Sequence, residues 1–550
     1  MIVWQLLCVI YCLLVTTIQG IFQDFNPFAD RNISLKIPSI NGWGENKNIM
    51  TTGQQTIINS DSIYEWTPIL SNITGGKKDS FVFTIDAEAS GYGFAPTYEV
   101  LMFISGNICH MPANKSDVEL TIYYSFNESI LDNPAIGQSA IFQDGYIQAL
   151  AISPVQSSSS NATSTYSNLY VVTELINSTT QQPLPSSDTS ENWEYRLSIS
   201  ENDLVFQWDV RPWVEILDTD MNSALLSTGN VTADAKVYHN YSIYDPSLYD
   251  LYVYSYEDSV QLNENYNLSL CAVKNGPHLV SSQDTSNKTA TTNNTSPLEH
   301  TNLAIQKKIT EYGGSVSEMF YVSGLNASTT YVAYLTKKIS NSDGLSSVGG
   351  ILFSQVYFTT KSTDACSLIF DLDFCSDVAY SVPTSSFSVD NKTLMAQTYD
   401  HIAEALYANF SKALQLISCD ADEDARYSPI MSCDDCAEAY RDWVCAVSIP
   451  RCSTTSSQYY IHRNKTHNRN DYLNKFIKPL DDYYEILPCI DMCYTLVRNC
   501  PSDFGFACPN DATTEDLLYQ SYNFYMDTDY ATCNYIGNSS LIEVRALDDT

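Results

Sequence analysis

Between residues 80 and 210 apolar and polar positions alternate in short runs: SFVFTID, YEVLMFIS, VELTIYYSF, YIQALAIS, SNLYVVTELI, EYRLSIS and LVFQWDV. Each is rich in β-branched and aromatic residues, and Asn, Ser, Gly and Pro separate them, as expected of strands with one buried face. Together they predict a β-sandwich. A second set, AKVYHNYSIY, YDLYVYSY, YNLSLCAV, EMFYVSGL, TTYVAYLTKK and ILFSQVYFTT, predicts another β domain. SSSSNATSTYS at 157–167, NSTTQQPLPSSDTSEN at 177–192 and SSQDTSNKTATTNNTSPLEH at 281–300 read as polar, low-complexity loops.

After residue 361 the period changes. TLMAQTYDHIAEALYANFSKALQLISC sets Tyr399, Ile402, Leu406, Phe410, Ala413 and Ile417 at three- and four-residue intervals, which predicts an amphipathic helix ending near Cys419. A chain of 550 residues exceeds one hydrophobic core. The expected layout is a multidomain one: a signal segment at 1–20, a β-sandwich-like domain at 21–210, a second, fibronectin- or immunoglobulin-like β domain at 211–360, and a mainly helical, disulfide-rich domain at 361–550.

The first twenty residues, MIVWQLLCVIYCLLVTTIQG, are apolar from Ile2 to Ile18 and read as a secretory signal, with a retained membrane anchor as the alternative. No later stretch is long enough to cross a bilayer as a helix; YEVLMFISGNIC and GGILFSQVYF read as buried strands. Glycosylation sequons agree with secretion. There are seventeen, at Asn32, Asn72, Asn114, Asn127, Asn161, Asn177, Asn230, Asn240, Asn267, Asn287, Asn293, Asn294, Asn326, Asn391, Asn409, Asn464 and Asn538. Chance would supply roughly seven, so the excess points to N-glycosylation.

That compartment decides how the cysteines are read. Of sixteen, Cys8 and Cys12 lie in the leader. Twelve of the remaining fourteen crowd between residues 366 and 533: Cys366, Cys375, Cys419, Cys433, Cys436, Cys445, Cys452, Cys489, Cys493, Cys500, Cys508 and Cys533. Cys109 and Cys271 stand apart and are available to each other. A zinc site would need a second close pair or a His partner beyond CDDC, and a redox centre would need its own strand and helix. Oxidising conditions favour disulfides.

Charge excludes one class of partner. With 64 acidic residues against 28 basic, the formal net charge is −36, so the chain lacks the basic surface that a nucleic-acid binder needs. Catalytic motifs are also missing: there is no H-E-x-x-H, G-x-S-x-G or P-loop, and neither an enzyme activity nor a cofactor is expected. DADED at 420–424 opens like a calcium loop, but no glycine follows it at the sixth position, so it reads as an exposed acidic turn. His462 and His467 read as solvated residues in polar sequence.

Three resemblances add to this reading. Leu325 and Tyr331, six apart in GLNASTTYVAYLTKK, resemble the tyrosine corner of a fibronectin type III module. CSLIFDLDFCSDVAYSVP, CAEAYRDWVCAVSIPRC and PCIDMCYTLVRNCPSDFGFACP together resemble the Frizzled-type cysteine-rich domain. That family's connectivity implies Cys366 with Cys452, Cys375 with Cys445, Cys436 with Cys500, Cys489 with Cys533 and Cys493 with Cys508, leaving Cys419 and Cys433 as an extra pair. Finally, IFQDFNPFA after the leader, GQQTIINSDSIYEWTPILSN and the cysteine array resemble the fungal stretch-activated calcium-channel components of the mating-pheromone-induced death type.

The last resemblance implies a glycoprotein of the plasma membrane and endoplasmic reticulum that is needed for calcium influx. It also implies partnership with a large four-repeat, voltage-gated-like pore subunit, through which the chain would be held at the membrane. The function expected is that of an extracellular regulatory subunit, with self-association left open. The alternatives are a stretch-activated cation channel in its own right and a cell-surface binding glycoprotein.

Overall fold

A computed structural model describes residues 61–85, 101–112, 117–152, 167–185, 192–231, 248–283, 302–339, 349–389, 391–419, 421, 426–537 and 542–545. The leader, the predicted strand AKVYHNYSIY, most of the loops at 157–167 and 281–300, DADED apart from Ala421, and the sequons at Asn32, Asn114, Asn161, Asn240, Asn287, Asn293, Asn294 and Asn538 lie outside them. The described residues belong to one compact unit.

Two sheets form a first sandwich. One orders five strands as Asp61–Ile63, Lys78–Thr84, Asn168–Asn177, Val118–Ser125 and Gln138–Ile141. The other orders four as Ile69–Ile73, Trp193–Ser200, Leu101–His110 and Tyr146–Ile152. Alternate residues of each, Phe81, Phe83, Ile122, Leu169 and Val171 with Met102, Ile104, Leu197 and Ile199, share one buried core.

A second sandwich follows. Its larger sheet orders Phe206–Asp209, Gly349–Phe353, Thr330–Ile339, Tyr249–Ser255 and Val280–Ser281, with Val356–Thr359 also paired to Thr330–Ile339. Its smaller sheet orders Val214–Thr219, Ser223–Thr228, Ser315–Ser323 and Ala304–Tyr312. Leu226, Phe320 and Val322 meet Leu251, Val253, Tyr331, Leu335 and Phe353 in its core.

The larger sheet is covered on its other face too. Helices α1 (Tyr256–Tyr266) and α2 (Leu270–Asn275) lay Leu262, Leu270 and Val273 over Tyr252, Tyr254, Tyr334 and Leu352, and Tyr146 of the first sandwich joins them. This explains why YDLYVYS is buried at nearly every position instead of at alternate ones. The helices also correct an expectation, because YNLSLCAV holds the end of α1, a turn and the start of α2, and no strand. Ser269 caps α2 by accepting the Ala272 N–H, and Gly276 ends it. Ser269 further donates to the Ile108 carbonyl at 2.6 Å, and the Leu270 N–H donates to Asn107 at 2.8 Å, so α2 docks on the first sandwich.

The expected mainly helical C-terminal domain is overturned. α3 (Lys392–Leu414), α4 (Cys433–Ser448), α5 (Ile490–Asn499) and the short α6 (Glu515–Ser521) cover a minority of residues 361–550. A ribbon of Cys366–Ile369 with Tyr380–Pro383, a three-stranded sheet of Arg451–Ser453, Tyr483–Ile486 and Ile461–Arg463, and irregular chain make up the rest, so the protein as a whole is mostly β-sheet. The one long periodic stretch, α3, does not represent its neighbours. Short runs such as CSLI, YSVP and YYEI pair as strands, and disulfides hold irregular backbone that would otherwise need helix or sheet to order it.

Candidate functional site

The face most elaborately built by the fold is the joint between the smaller sheet of the second sandwich and the C-terminal region. Leu225 and Met319 on the sheet's outer side pack against Leu368 and Ala379 of the ribbon. A register shift between Ile216 and Asp218 interrupts the pairing of Val214–Thr219 with its neighbour. Such a bulge re-aims side chains, and here it lies immediately before an acidic residue that faces the joint.

Asp218 receives Lys361 Nζ at 2.5 Å, Arg451 Nε at 3.2 Å and the Ser381 N–H at 3.1 Å. Arg451 also donates to the Leu217 carbonyl at 3.0 Å. Two residues on, Asp220 accepts the Leu368 N–H at 2.9 Å, the Ser223 N–H at 2.8 Å and the ammonium of Lys392. Lys392 opens α3, where the helix dipole opposes a cation, and Asp220 offsets that cost. Burial alone would raise both carboxyl groups; Lys361 and Arg451 at Asp218, and Lys392 at Asp220, outweigh it and hold both below the usual carboxylate range. Charges this well enclosed are tolerated because each has partners on the opposite side.

Beside this seam runs a cleft of about 580 Å³ lined by Trp213, Glu215, Tyr312, Arg451, Tyr525 and Tyr535 among others. Farther along the C-terminal region, Phe410 of α3 stacks on Tyr440 of α4 with ring centres 3.7 Å apart, and Phe504 and Phe506 pack around them. Among the described residues no group of three or more His, Cys, Asp or Glu is arranged to hold a metal ion.

Seven disulfides link the fourteen cysteines after residue 20. Cys109 joins Cys271, tying the Leu101–His110 strand to α2. In the C-terminal region the pairs are Cys366–Cys452, Cys375–Cys445, Cys419–Cys433, Cys436–Cys500, Cys489–Cys533 and Cys493–Cys508. Of the described sequons, Asn72, Asn127, Asn230, Asn391, Asn409 and Asn464 are exposed, whereas Asn177, Asn267 and Asn326 are half-buried. The two histidines read as solvated are at the surface: His462 is exposed, and His467 lies in the turn that follows Asn464. Sequence reading did not single out Asp218, Asp220, Lys361, Lys392 or Arg451. Asp218 and Arg451 lie 233 positions apart, so only the fold brings them together.

Comparison with known proteins supplies the context for this architecture. Residues 101–539 match the family model described as a stretch-activated Ca2+-permeable channel component. The chain belongs to this family. The matched span takes in most of the first sandwich, all of the second and the whole cysteine-rich stretch. Among its relatives, the stretch-activated cation channel MID1 of Saccharomyces cerevisiae is 88% identical over 550 residues, the full length of both chains. The stretch-activated cation channel yam8 of Schizosaccharomyces pombe is 34% identical over 346 residues, 62% of this chain and 64% of its own. A relative named stretch-activated cation channel MID1 in Cryptococcus neoformans is 30% identical over 196 residues, 29% of this chain and 30% of its own. As a channel-component family member, the chain works at a membrane.

Proposed function

We propose that this chain is an extracellular regulatory subunit of a calcium-permeable channel, acting at the plasma membrane and along the secretory route that passes through the endoplasmic reticulum. Its partner in this reading is a large four-repeat pore subunit, which holds it at the membrane through protein contact. The observation that carries the reading is the way the sheets are closed. Both sandwiches bury their inner faces in side-chain cores, and the larger sheet of the second is covered on both faces, so these strands enclose packed side chains and not a water-filled path. Seven disulfides favour an oxidising, extracellular setting. Among the described residues no helix is long and apolar enough to cross a membrane.

The test supplies the chain without residues 1–20, secreted through a foreign cleavable signal, to cells that contain the pore subunit but lack this protein. Binding to the pore subunit and restored calcium uptake are expected. The same purified material alone in a bilayer should pass no current. Stretch-gated current from it, with no pore subunit detectable by mass spectrometry, would replace the regulatory reading with the channel one that the relatives' names carry.

A further inference from the structure

A second cleft, of about 730 Å³, opens at one end of the first sandwich, within the range of about 300–1,000 Å³ usual for clefts that hold small molecules. It lies where strands end: Ser125 stands opposite Tyr170 and Tyr124 opposite Gln138 in one sheet, and Ile152 ends a strand of the other. Ile136 is 53% exposed and Ile152 47% exposed along its wall, with half-buried Phe126 and Tyr170 beside them. The inward place next to Ile136 is taken by the fully buried Ile130, on which Gly137 packs so closely that an added Cβ would stand 2.3 Å from Ile130 Cδ1. Singly exposed apolar side chains are ordinary. Two isoleucines from different sheets lining one cleft are less so, and a sequon asparagine, Asn127, lines it with them.

Asn127 is held at three atoms. Its backbone N–H donates to Ser125 Oγ at 3.1 Å, its carbonyl accepts the Ile130 N–H at 3.2 Å, and its Oδ1 accepts the Ser129 N–H at 3.0 Å. The side-chain amide is thus pinned by its oxygen, and amide planarity turns Nδ2, the atom to which a glycan is joined, away from the short helix Glu128–Ile130. A glycan rooted there starts at the cleft wall already oriented, which lowers the cost of ordering it. Its first units are N-acetylglucosamine. Their C–H faces and acetyl methyls suit isoleucine side chains and an aromatic ring, and their hydroxyls suit Glu128 and Gln138 at the rim. Ile136, Ile152 and Tyr170 all follow Asn127 in the chain, so a glycan attached as the chain emerges is in place before these walls close on it.

We propose that this cleft is the seat of the glycan on Asn127, whose first two N-acetylglucosamine units lie along Ile136, Ile152 and Tyr170 instead of projecting into solvent. Tyr170 and the turn at Ile136 belong with the five-stranded sheet and Ile152 with the four-stranded one, so the seated sugar laces the two sheets together at their open end. The inference rests on passage through the secretory route, and it holds whether the chain is a regulator or a pore.

Native-state deglycosylation of the full chain tests it, with an endoglycosidase that cuts between the first two N-acetylglucosamines and mass spectrometry of the glycopeptides over time. Covering about 60 Å² of apolar surface is worth about tenfold in a local opening equilibrium. Asn127 should therefore lose its glycan about tenfold more slowly than the exposed sequons Asn72, Asn391 and Asn464. Ile136→Ser with Ile152→Ser, both at exposed positions, should abolish the lag and leave the other sites unchanged. Ser129→Ala removes the sequon but keeps the backbone N–H that Asn127 Oδ1 accepts, and should raise hydrogen exchange in peptides covering 124–138 and 146–152 by about tenfold. Added to the isoleucine double variant, it should change exchange no further. Cleavage at Asn127 as fast as at the exposed sequons, or an unmodified Asn127 while they carry sugar, would overturn the proposal. If no sequon carries sugar, the secretory reading fails and the proposal falls with it.

Discussion

The hydroxyl of Tyr331 accepts the backbone N–H of Asn326 at 2.9 Å, closing the corner between the strands Ser315–Ser323 and Thr330–Ile339. The ring is fully buried and stacks on Phe358 with centres 5.6 Å apart, while Leu325 fills the space beside it in the same core. A tyrosine placed this way fixes the turn by a side chain that the core already holds rigid. Tyr331→Phe keeps the ring and removes the hydroxyl that receives the Asn326 N–H, so the loss should be at least about 1 kcal/mol of unfolding free energy. Chemical denaturation of the two proteins measures it, and equal midpoints would show that water replaces the hydroxyl without penalty.

Asp218→Asn should be far more damaging. It leaves Lys361 and Arg451 facing a neutral amide inside the joint, and removing one member of a buried ion pair costs about 3–5 kcal/mol. The pH dependence has a definite sign. Because the folded protein holds Asp218 below its unfolded value, the stabilisation is present above the ordinary carboxylate range and is lost as pH falls through and below it. Urea unfolding at neutral and at strongly acid pH should find the variant much weaker than the unmodified chain at neutral pH and nearly equal to it in acid.

Cysteine replacements should rank by what each bridge encloses. Cys445→Ser opens the bridge to Cys375, and Cys489→Ser opens the bridge to Cys533; both cysteines are buried. Each should cost about 2–5 kcal/mol and leave a thiol open to mispairing, reducing surface delivery and calcium uptake. Removing Cys419 and Cys433 together opens a bridge between residues only 14 apart and should be the mildest double change. Surface labelling reads the order; delivery unaffected by Cys445→Ser would show that the α4 bridge is dispensable.

Enzymatic removal of N-glycans should lower the apparent mass by many kilodaltons, since each chain adds about two. Site mapping should find Asn72, Asn127, Asn230, Asn391, Asn409 and Asn464 more fully occupied than Asn177, Asn267 and Asn326, whose side chains are half-buried. Asn267 is the extreme case, with its side-chain oxygen enclosed. A mass that does not move would remove the secretory argument altogether.

Particular residues show where the sequence was readable. Runs such as VELTIYYS and WEYRLSIS declared themselves because one face is apolar and the core takes that face. AIQKKITEY did not, because its lysines disguise it: Lys307 is drawn inward by Glu318 at 3.3 Å and Asp250 at 3.6 Å, partners on other strands that no local window contains. YNLSLCAV was misread because a short apolar run has no period of its own, although the Ser269 cap and Gly276 stop were there to be used. In the C-terminal region α3 was legible from its spacing, while the ribbon and the three-stranded sheet were not, since strands of three or four residues are too short to show alternation. The ionic seam lay wholly beyond sequence reach, because its members meet only after the second sandwich, the ribbon, α3 and the three-stranded sheet have assembled.

The bridge between Cys109 and Cys271 has a mechanical meaning. A pull along the backbone from Asp61 towards Gly537 reaches Cys109 and crosses directly to Cys271, skipping a sequence separation of 162 residues. Fully drawn out, that length would be about 550 Å of slack. Most of the first sandwich and the opening strands of the second are thereby taken out of the tensile route, and Cys366–Cys452 removes a further separation of 86 residues downstream. While these links stay oxidised, the chain enclosed by each pair cannot be drawn out, so extension falls on the joints and on unbridged stretches such as 272–365. Each bridged part transmits displacement as a stiff strut would, and reduction would turn the strut into a spring.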